Sequence, residues 1–214
     1  MNDTARARAR MVEQQIAARG VSSKLVLDAM RQVPREVFVP ESLRDLAYQD
    51  SPLSIGEGQT ISQPYIVASM VEALGLNGGE KVLEIGTGSG YAAAVVAEIA
   101  AQVYSIERIG ELAQRARIAL SENGYEKVQV LHADGTLGWP QQAPYDAIVV
   151  TAGGPGVPES LKSQLKTGGR LVIPVGTDMY NQKLIRVTRV SQSEYRTEDL
   201  EYVRFVPLIG EEGW

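Results

Sequence analysis

Cysteine is absent from this sequence of 214 residues, which removes disulfides, thiolate metal sites and cysteine nucleophiles together. Histidine occurs once, at His132, so a histidine-rich metal site and a Ser-His-Asp triad have almost nothing to be built from. His132 reads as a residue at the end of a strand. Phe and Trp number only two each, leaving little for stacking bases. Basic charge is not in excess: 21 Lys and Arg stand against 26 Asp and Glu, and a net charge of −5 disfavours nucleic acid as the main partner. No apolar run approaches membrane-spanning length, and Met1–Gly20 lacks a signal-peptide core. The expectation is a cytoplasmic enzyme with no membrane or nucleic-acid partner and no metal, working as a monomer.

What the chain does contain is ordinary hydrophobic content, 44%, enough for one core. Residues 4–19 read as a helix with Met11, Val12 and Ile16 on one face, and Ser23–Gln32 as a second, stopped by Pro34. Val37–Pro40 reads as extended, and residues 50–61 as a glycine-containing loop. A helix is expected from Ser62 to about Leu76. From there strands and helices alternate: strand Lys81–Ile85, helix Gly90–Ala101, strand Gln102–Ile106, helix Gly110–Asn123, strand Lys127–His132. Strand Tyr145–Thr151, a short helix Pro158–Lys166 and strand Arg170–Val175 follow, and the last two strands, about Lys183–Ser191 and Leu200–Pro207, read as an antiparallel pair. Such alternation predicts a doubly wound, mostly parallel α/β sheet covered on both faces. One domain spanning 1–214 is expected, with 1–61 as a helical extension and covering loop and 62–214 as the α/β core.

The most informative stretch is Val82–Tyr91, where an apolar strand carrying Glu84 runs into a turn bearing Gly86, Gly88 and Gly90 and then a helix. Glycines let backbone N–H groups and a helix N-terminus approach a ligand closely. The spacing is Gly-x-Gly-x-Gly rather than the dinucleotide fingerprint. Glu107 ends the next strand, where a carboxylate would accept from two ribose hydroxyls, and Asp134-Gly135 ends the third, where an adenine amino group could donate. Singly, each has a plainer reading: backbone geometry for the glycines, a surface charge beside Arg108 for Glu107, a turn for Asp134. Their order at three consecutive strand ends favours a cofactor site. NAD would want the same acidic residue, but the glycine spacing and the antiparallel strand pair favour S-adenosylmethionine.

These features resemble class I S-adenosylmethionine-dependent methyltransferases, with their Rossmann-like sheet. A narrower resemblance lies in Asp50–Leu74, whose Pro-Leu-Ser-Ile-Gly-Glu-Gly-Gln-Thr-Ile-Ser-Gln-Pro run is similar to the signature of protein-L-isoaspartate O-methyltransferases. Val33–Pro40, Leu83–Tyr91, Asp134-Gly135, Pro144–Ile148, Leu165–Pro174 and Phe205–Leu208 match the family too, and the final Gly-Glu-Glu-Gly-Trp resembles its bacterial branch. Val67 stands where animal members carry a histidine. The resemblance implies methyl transfer to the free α-carboxyl of L-isoaspartyl residues in damaged proteins and peptides, followed by collapse to a succinimide and repair. It implies Gln59, Thr60, Ile61, Ser62, Glu84, Gly86, Thr87, Gly88, Ser89, Gly90, Glu107, Asp134 and Gly135 at the cofactor. It implies Leu53, Ile55, Thr60, Val206 and Leu208 at the substrate, and Ser62 as the catalytic residue.

Physically, the reaction needs no strong base, because the methyl is already activated and a carboxylate is already a nucleophile; placement and exclusion of water remain. Ser62, followed by Gln63-Pro64, reads as a helix N-cap, as a substrate contact, or as both. A methyltransferase for another substrate, and a module that senses S-adenosylmethionine without chemistry, are the alternatives.

Overall fold

The computed structural model describes residues 3–178 and 181–214. α1 (Asp3–Arg10) continues without a break through a π-helical stretch, Met11–Ile16, and a short 3-10 turn, Ala17–Arg19. Met11, Val12 and Ile16 are buried, as the apolar spacing predicts. Ser23 accepts from the N–H of Val26 and caps α2 (Lys24–Gln32). The next segment differs from expectation. Of Val37–Pro40, only Val39 and Pro40 are extended: Pro34 opens a 3-10 turn, Arg35–Phe38, closed by Val37 N–H donating to the Pro34 carbonyl at 3.1 Å.

Residues 50–61 are not an irregular loop either. β1 (Leu53–Gly56) and β2 (Gln59–Ile61) form an antiparallel hairpin. Gly56, Glu57 and Gly58 turn the chain with φ of 86°, 53° and 68°, while Leu53, Ile55 and Ile61 point inward and are buried. α3 runs from Pro64 to Leu74 with Gln63 at its N-cap position. The expectation that Ser62 caps this helix is therefore corrected: the helix starts later, because Pro64 takes the first position, where its missing N–H costs nothing.

The main sheet follows: β3 (Lys81–Ile85), α4 (Tyr91–Ile99), β4 (Gln102–Glu107), α5 (Gly110–Glu122), β5 (Val128–His132), β6 (Tyr145–Val150), α6 (Glu159–Ser163), β7 (Leu165–Gly176), β8 (Gln182–Arg189) and β9 (Tyr195–Val203). Its strand order is β5-β4-β3-β6-β7-β8-β9. The first five strands in that order are parallel, and β8 is antiparallel to both β7 and β9. α6 is shorter than expected because the chain after Ser163 already pairs, Leu165 lying opposite Tyr145. The last strand likewise ends at Val203, before Pro207.

Parallel strands joined by right-handed crossovers place α4 and α5 on one face. There α2, α3 and the N-terminal helices join them in one buried cluster with Val82, Val103, Ala147 and Val172. Leu83, Ile85, Ile106 and Ile148 face the other side, packed with Leu161 of α6 and with Trp139. The chain leaves β3 in one direction to β4 and β5 and returns on its other side to β6. The crevice at the carboxyl ends of β3, β4 and β6 is thus the topological switch point, where open α/β sheets take ligands. Among the described residues, no helix is long and apolar enough to cross a membrane, and no group of three or more His, Cys, Asp or Glu could hold a metal ion.

Candidate active site

A turn tied to both neighbouring strands forms the floor of that crevice. Gly86 N–H donates to the Ile106 carbonyl at 2.8 Å, on the β4 side. On the β6 side, Thr151 Oγ1 donates toward the carbonyls of Ile85 and Gly86, 3.0 and 2.7 Å away. All three glycines have positive φ: 94° at Gly86, 54° at Gly88 and 92° at Gly90. At Gly86 space is limiting too, since a Cβ would stand 2.5 Å from Thr151 Oγ1. Gly90 begins α4 and packs toward Leu120, where a Cβ would come within 3.1 Å of Cγ; it shapes the turn from below.

Glu107 is 6% exposed, so it is no surface charge. Its two oxygens accept from Gly88 N–H and Ile109 N–H, each at 2.9 Å, which locks the carboxylate to the glycine turn and leaves lone pairs for further donors. The cleft above encloses about 760 Å³, its open mouth included. It brings together Gln59, Thr60, Ile61, Ser62, Gly86, Thr87, Gly88, Ser89, Glu107, Gly135, Val206 and Leu208 of the expected residues.

Others are placed elsewhere. Glu84 is fully buried beneath the turn, because alternation along β3 turns it to the face of Val82. Ser105 Oγ donates to its Oε2 at 2.5 Å and lies 2.5 Å from Thr87 Oγ1, while Oε1 has no partner among the described residues. Burial pushes this carboxyl up to about 8; the Ser105 hydroxyl pulls it down and the charge of Glu107 adds to the rise. Glu84 is thus a structural support of the turn rather than a group on the cleft surface. Asp134 also does not line the cleft. Its Oδ1 accepts from the N–H and hydroxyl of Thr136 at 2.8 and 2.7 Å, and its Oδ2 from Glu211 N–H at 2.8 Å. Against the upward push of burial, these donors hold its carboxyl below the usual range. Leu53 and Ile55, expected at the substrate, lie on the inner face of the hairpin within the core, because their strand alternates apolar in and polar out.

Ser62 lies where two cavities meet: the cleft, and an open groove of about 1640 Å³ lined by Arg19, Ile66, Tyr202, Val203, Arg204 and Phe205 among others. Val206 and Thr60 are shared by both. Gln182, 1% exposed, clamps the wall between them, accepting from Phe205 N–H at 2.7 Å and donating to its carbonyl at 3.1 Å. Sequence reasoning missed Thr151, Ala152, Tyr91 and Ile209, all of which line the cleft. The signal for Thr151 was available: it ends the strand beside β3, and the switch point has two flanks. Val67 is 4% exposed and lines the cleft with an apolar side chain.

An open α/β sheet with a glycine turn at its switch point, a buried carboxylate ending the next strand and an antiparallel strand pair closing the sheet defines a fold of the class I methyltransferase type. Within that class, the chain belongs to the protein-L-isoaspartate(D-aspartate) O-methyltransferase family, which it matches over residues 6–213. It is 67% identical over 207 residues to protein-L-isoaspartate O-methyltransferase 1 of Rhodopseudomonas palustris strain HaA2, covering 97% of this chain and 84% of that one. It is 63% identical to the enzyme of strain ATCC BAA-98 / CGA009, covering 95% and 94%. Among solved structures, a protein-L-isoaspartate O-methyltransferase superposes with a TM-score of 0.86 at 31% identity, over 96% of this chain and 67% of that one. A Plasmodium falciparum beta-aspartate methyltransferase, solved with S-adenosyl-L-homocysteine, shares the fold with a TM-score of 0.80 at 24% identity, over 94% and 98%.

Proposed function

We infer that this chain transfers the methyl group of S-adenosylmethionine to the free α-carboxyl of L-isoaspartyl residues in damaged proteins and peptides, starting their repair through a succinimide. Family membership supports the reaction, and one observation carries the assignment of roles. The Ser62 hydroxyl, with no hydrogen-bond partner among the described residues, stands at the seam between the switch-point cleft and an open groove. The cleft fits the cofactor in kind. Gly86, with no room for a Cβ beside Thr151, lines the cleft with bare backbone, and Glu107 presents acceptors suited to two vicinal hydroxyls. The first turn of α4 adds N–H groups without intrahelical partners.

When bound, S-adenosylmethionine supplies a methyl carbon activated by its positive sulfur, to which a carboxylate oxygen bonds as the sulfur leaves with the electron pair of the broken bond. No proton moves, so the chain's work is orientation. Ser62 donates to the substrate carboxylate and fixes which oxygen faces the methyl. Gln59, Thr60 and Ile61 cover the cleft from the hairpin, and Val206 and Leu208 wall its other side, excluding water. Because the reaction annihilates opposite charges, that exclusion favours it. The groove beyond Ser62 holds the flanking peptide in extended form along the wall that Val203, Phe205 and Val206 give it. A normal aspartyl residue carries its carboxylate one methylene further from the backbone and is refused by misplacement.

The test follows the product. An isoaspartyl peptide incubated with the protein and S-adenosylmethionine converts over time to the aspartyl peptide, resolved by reversed-phase chromatography, and does not convert when either is omitted. Conversion independent of the cofactor would contradict the inference.

A further inference from the structure

The final Gly210-Glu211-Glu212-Gly213-Trp214 run is explained by no step above, yet it is fastened to the strand ends at several points. Glu211 N–H donates to Asp134 Oδ2 at 2.8 Å, and Glu212 N–H to Thr136 Oγ1 at 3.1 Å. The Glu212 carboxylate accepts from Ser160 N–H at 3.0 Å and from its hydroxyl at 2.5 Å. These bonds, the Ser160 hydroxyl foremost, hold the Glu212 carboxyl below its usual range. Trp214 donates from Nε1 to the Gly153 carbonyl at 3.0 Å and from its backbone N–H to the Leu208 carbonyl at 2.8 Å. Gly153 is itself paired with the wall segment, accepting from Leu208 N–H at 2.8 Å. The two glycines are required by space. A Cβ on Gly210 would run into the Asp134 carboxylate, and one on Gly213 into the Leu208 carbonyl.

The bonded groups converge on one end of the cleft, whose lining there is Gly135, Leu208 and Ile209. Asp134, read from sequence as a cofactor ligand, spends Oδ2 on this segment and Oδ1 on Thr136, which also receives it. We propose that residues 209–214 are a positioning clasp for the end of the cofactor cleft formed by Gly135, Leu208 and Ile209, with Glu212 and Trp214 as its positioning residues. The proposal rests on the cofactor reading above. The segment touches neither reacting atoms nor the substrate groove, so its effect falls on cofactor affinity and spares the chemical step at saturation.

The experiment compares the full-length protein with Glu212→Ala, Trp214→Ala, Gly210→Ala and, from outside the segment, Ser160→Ala. Glu211→Ala is the control, because that residue contributes only its backbone N–H. Calorimetry gives the S-adenosylhomocysteine Kd, and initial rates give kcat and the KM for S-adenosylmethionine. The expected result is a rise of at least fivefold in Kd and KM for Glu212→Ala, Trp214→Ala and Gly210→Ala. Their kcat stays within twofold, Ser160→Ala shows a smaller rise, and Glu211→Ala is unchanged. If a segment variant fails to fold, Ser160→Ala decides alone. Folded variants that bind like the unaltered protein, or that lose kcat at unchanged KM, would overturn the clasp while leaving the cofactor assignment intact. An unaltered protein that does not bind S-adenosylhomocysteine would overturn both.

Discussion

Replacing Glu84 with Gln should flatten the dependence of stability on pH. In the unfolded chain this carboxyl titrates near 4.5, whereas in the fold burial raises it to about 8. Between those values the folded chain keeps a proton that the unfolded chain has released, so stability falls as pH rises through the window, and the loss is complete above pH 8. At 1.36 kcal/mol per pKa unit, the full effect is about 5 kcal/mol. Glutamine keeps the shape and can still accept from Ser105 through its carbonyl oxygen, but it cannot ionise. Its amide leaves a buried N–H₂ without a partner, a cost of about 1–3 kcal/mol that does not vary with pH. Urea unfolding of both proteins at pH 5, 7 and 9 isolates the difference, because all other titrating groups are common to the pair. Glu84→Gln should be the less stable protein at pH 5 and the more stable at pH 9, with the difference moving by several kcal/mol. A difference constant within about 1 kcal/mol across that range would refute the reasoning, since it would mean that Glu84 is charged, or its burial relieved, in the fold.

Gly86→Ala should weaken S-adenosylhomocysteine binding far more than Gly88→Ala, because a Cβ would stand 2.5 Å from Thr151 Oγ1 at the first position and 3.4 Å from Ile55 Cδ1 at the second; equal losses by calorimetry would count against the cradle. Glu107→Ala should weaken that binding about tenfold or more, by the worth of charge-assisted bonds, while Glu122→Ala, remote from the cleft, leaves it unchanged. Ser62→Ala should leave the urea midpoint unchanged, since no cap is lost, yet lower kcat at unaltered cofactor affinity; Ser62→Asp should lower kcat further by repelling the substrate carboxylate, and retained turnover in that variant would remove Ser62 from the site.

The strands of the parallel sheet were legible because each is a short apolar run bounded by a turn. β3 is matched at both ends, and the glycines and Glu107 fell at its switch point by spacing alone. The hairpin at 53–61 was harder to see. Its strands are four and three residues long, too short for alternation to stand out from a glycine-containing loop. Glu84 and Asp134 show a different limit. Sequence order brought both to the neighbourhood of the cofactor, but the side of the strand and the partners already engaged decide what a carboxylate does there. Partners such as Glu211, 77 residues away from Asp134, are invisible until the chain is folded. The Ser-Gln-Pro order allows Ser62 to be a cap, a substrate contact or both; the helix starts two residues later, which removes the cap and leaves its hydroxyl without a partner among the described residues.

The most direct measurement offers the protein an isoaspartyl peptide and the aspartyl peptide of the same sequence, side by side, with methyl-labelled S-adenosylmethionine, and counts base-labile methyl esters. The account predicts label on the isoaspartyl peptide and negligible transfer to its isomer. Comparable labelling of the two peptides, or label confined to RNA or a small molecule, would contradict it.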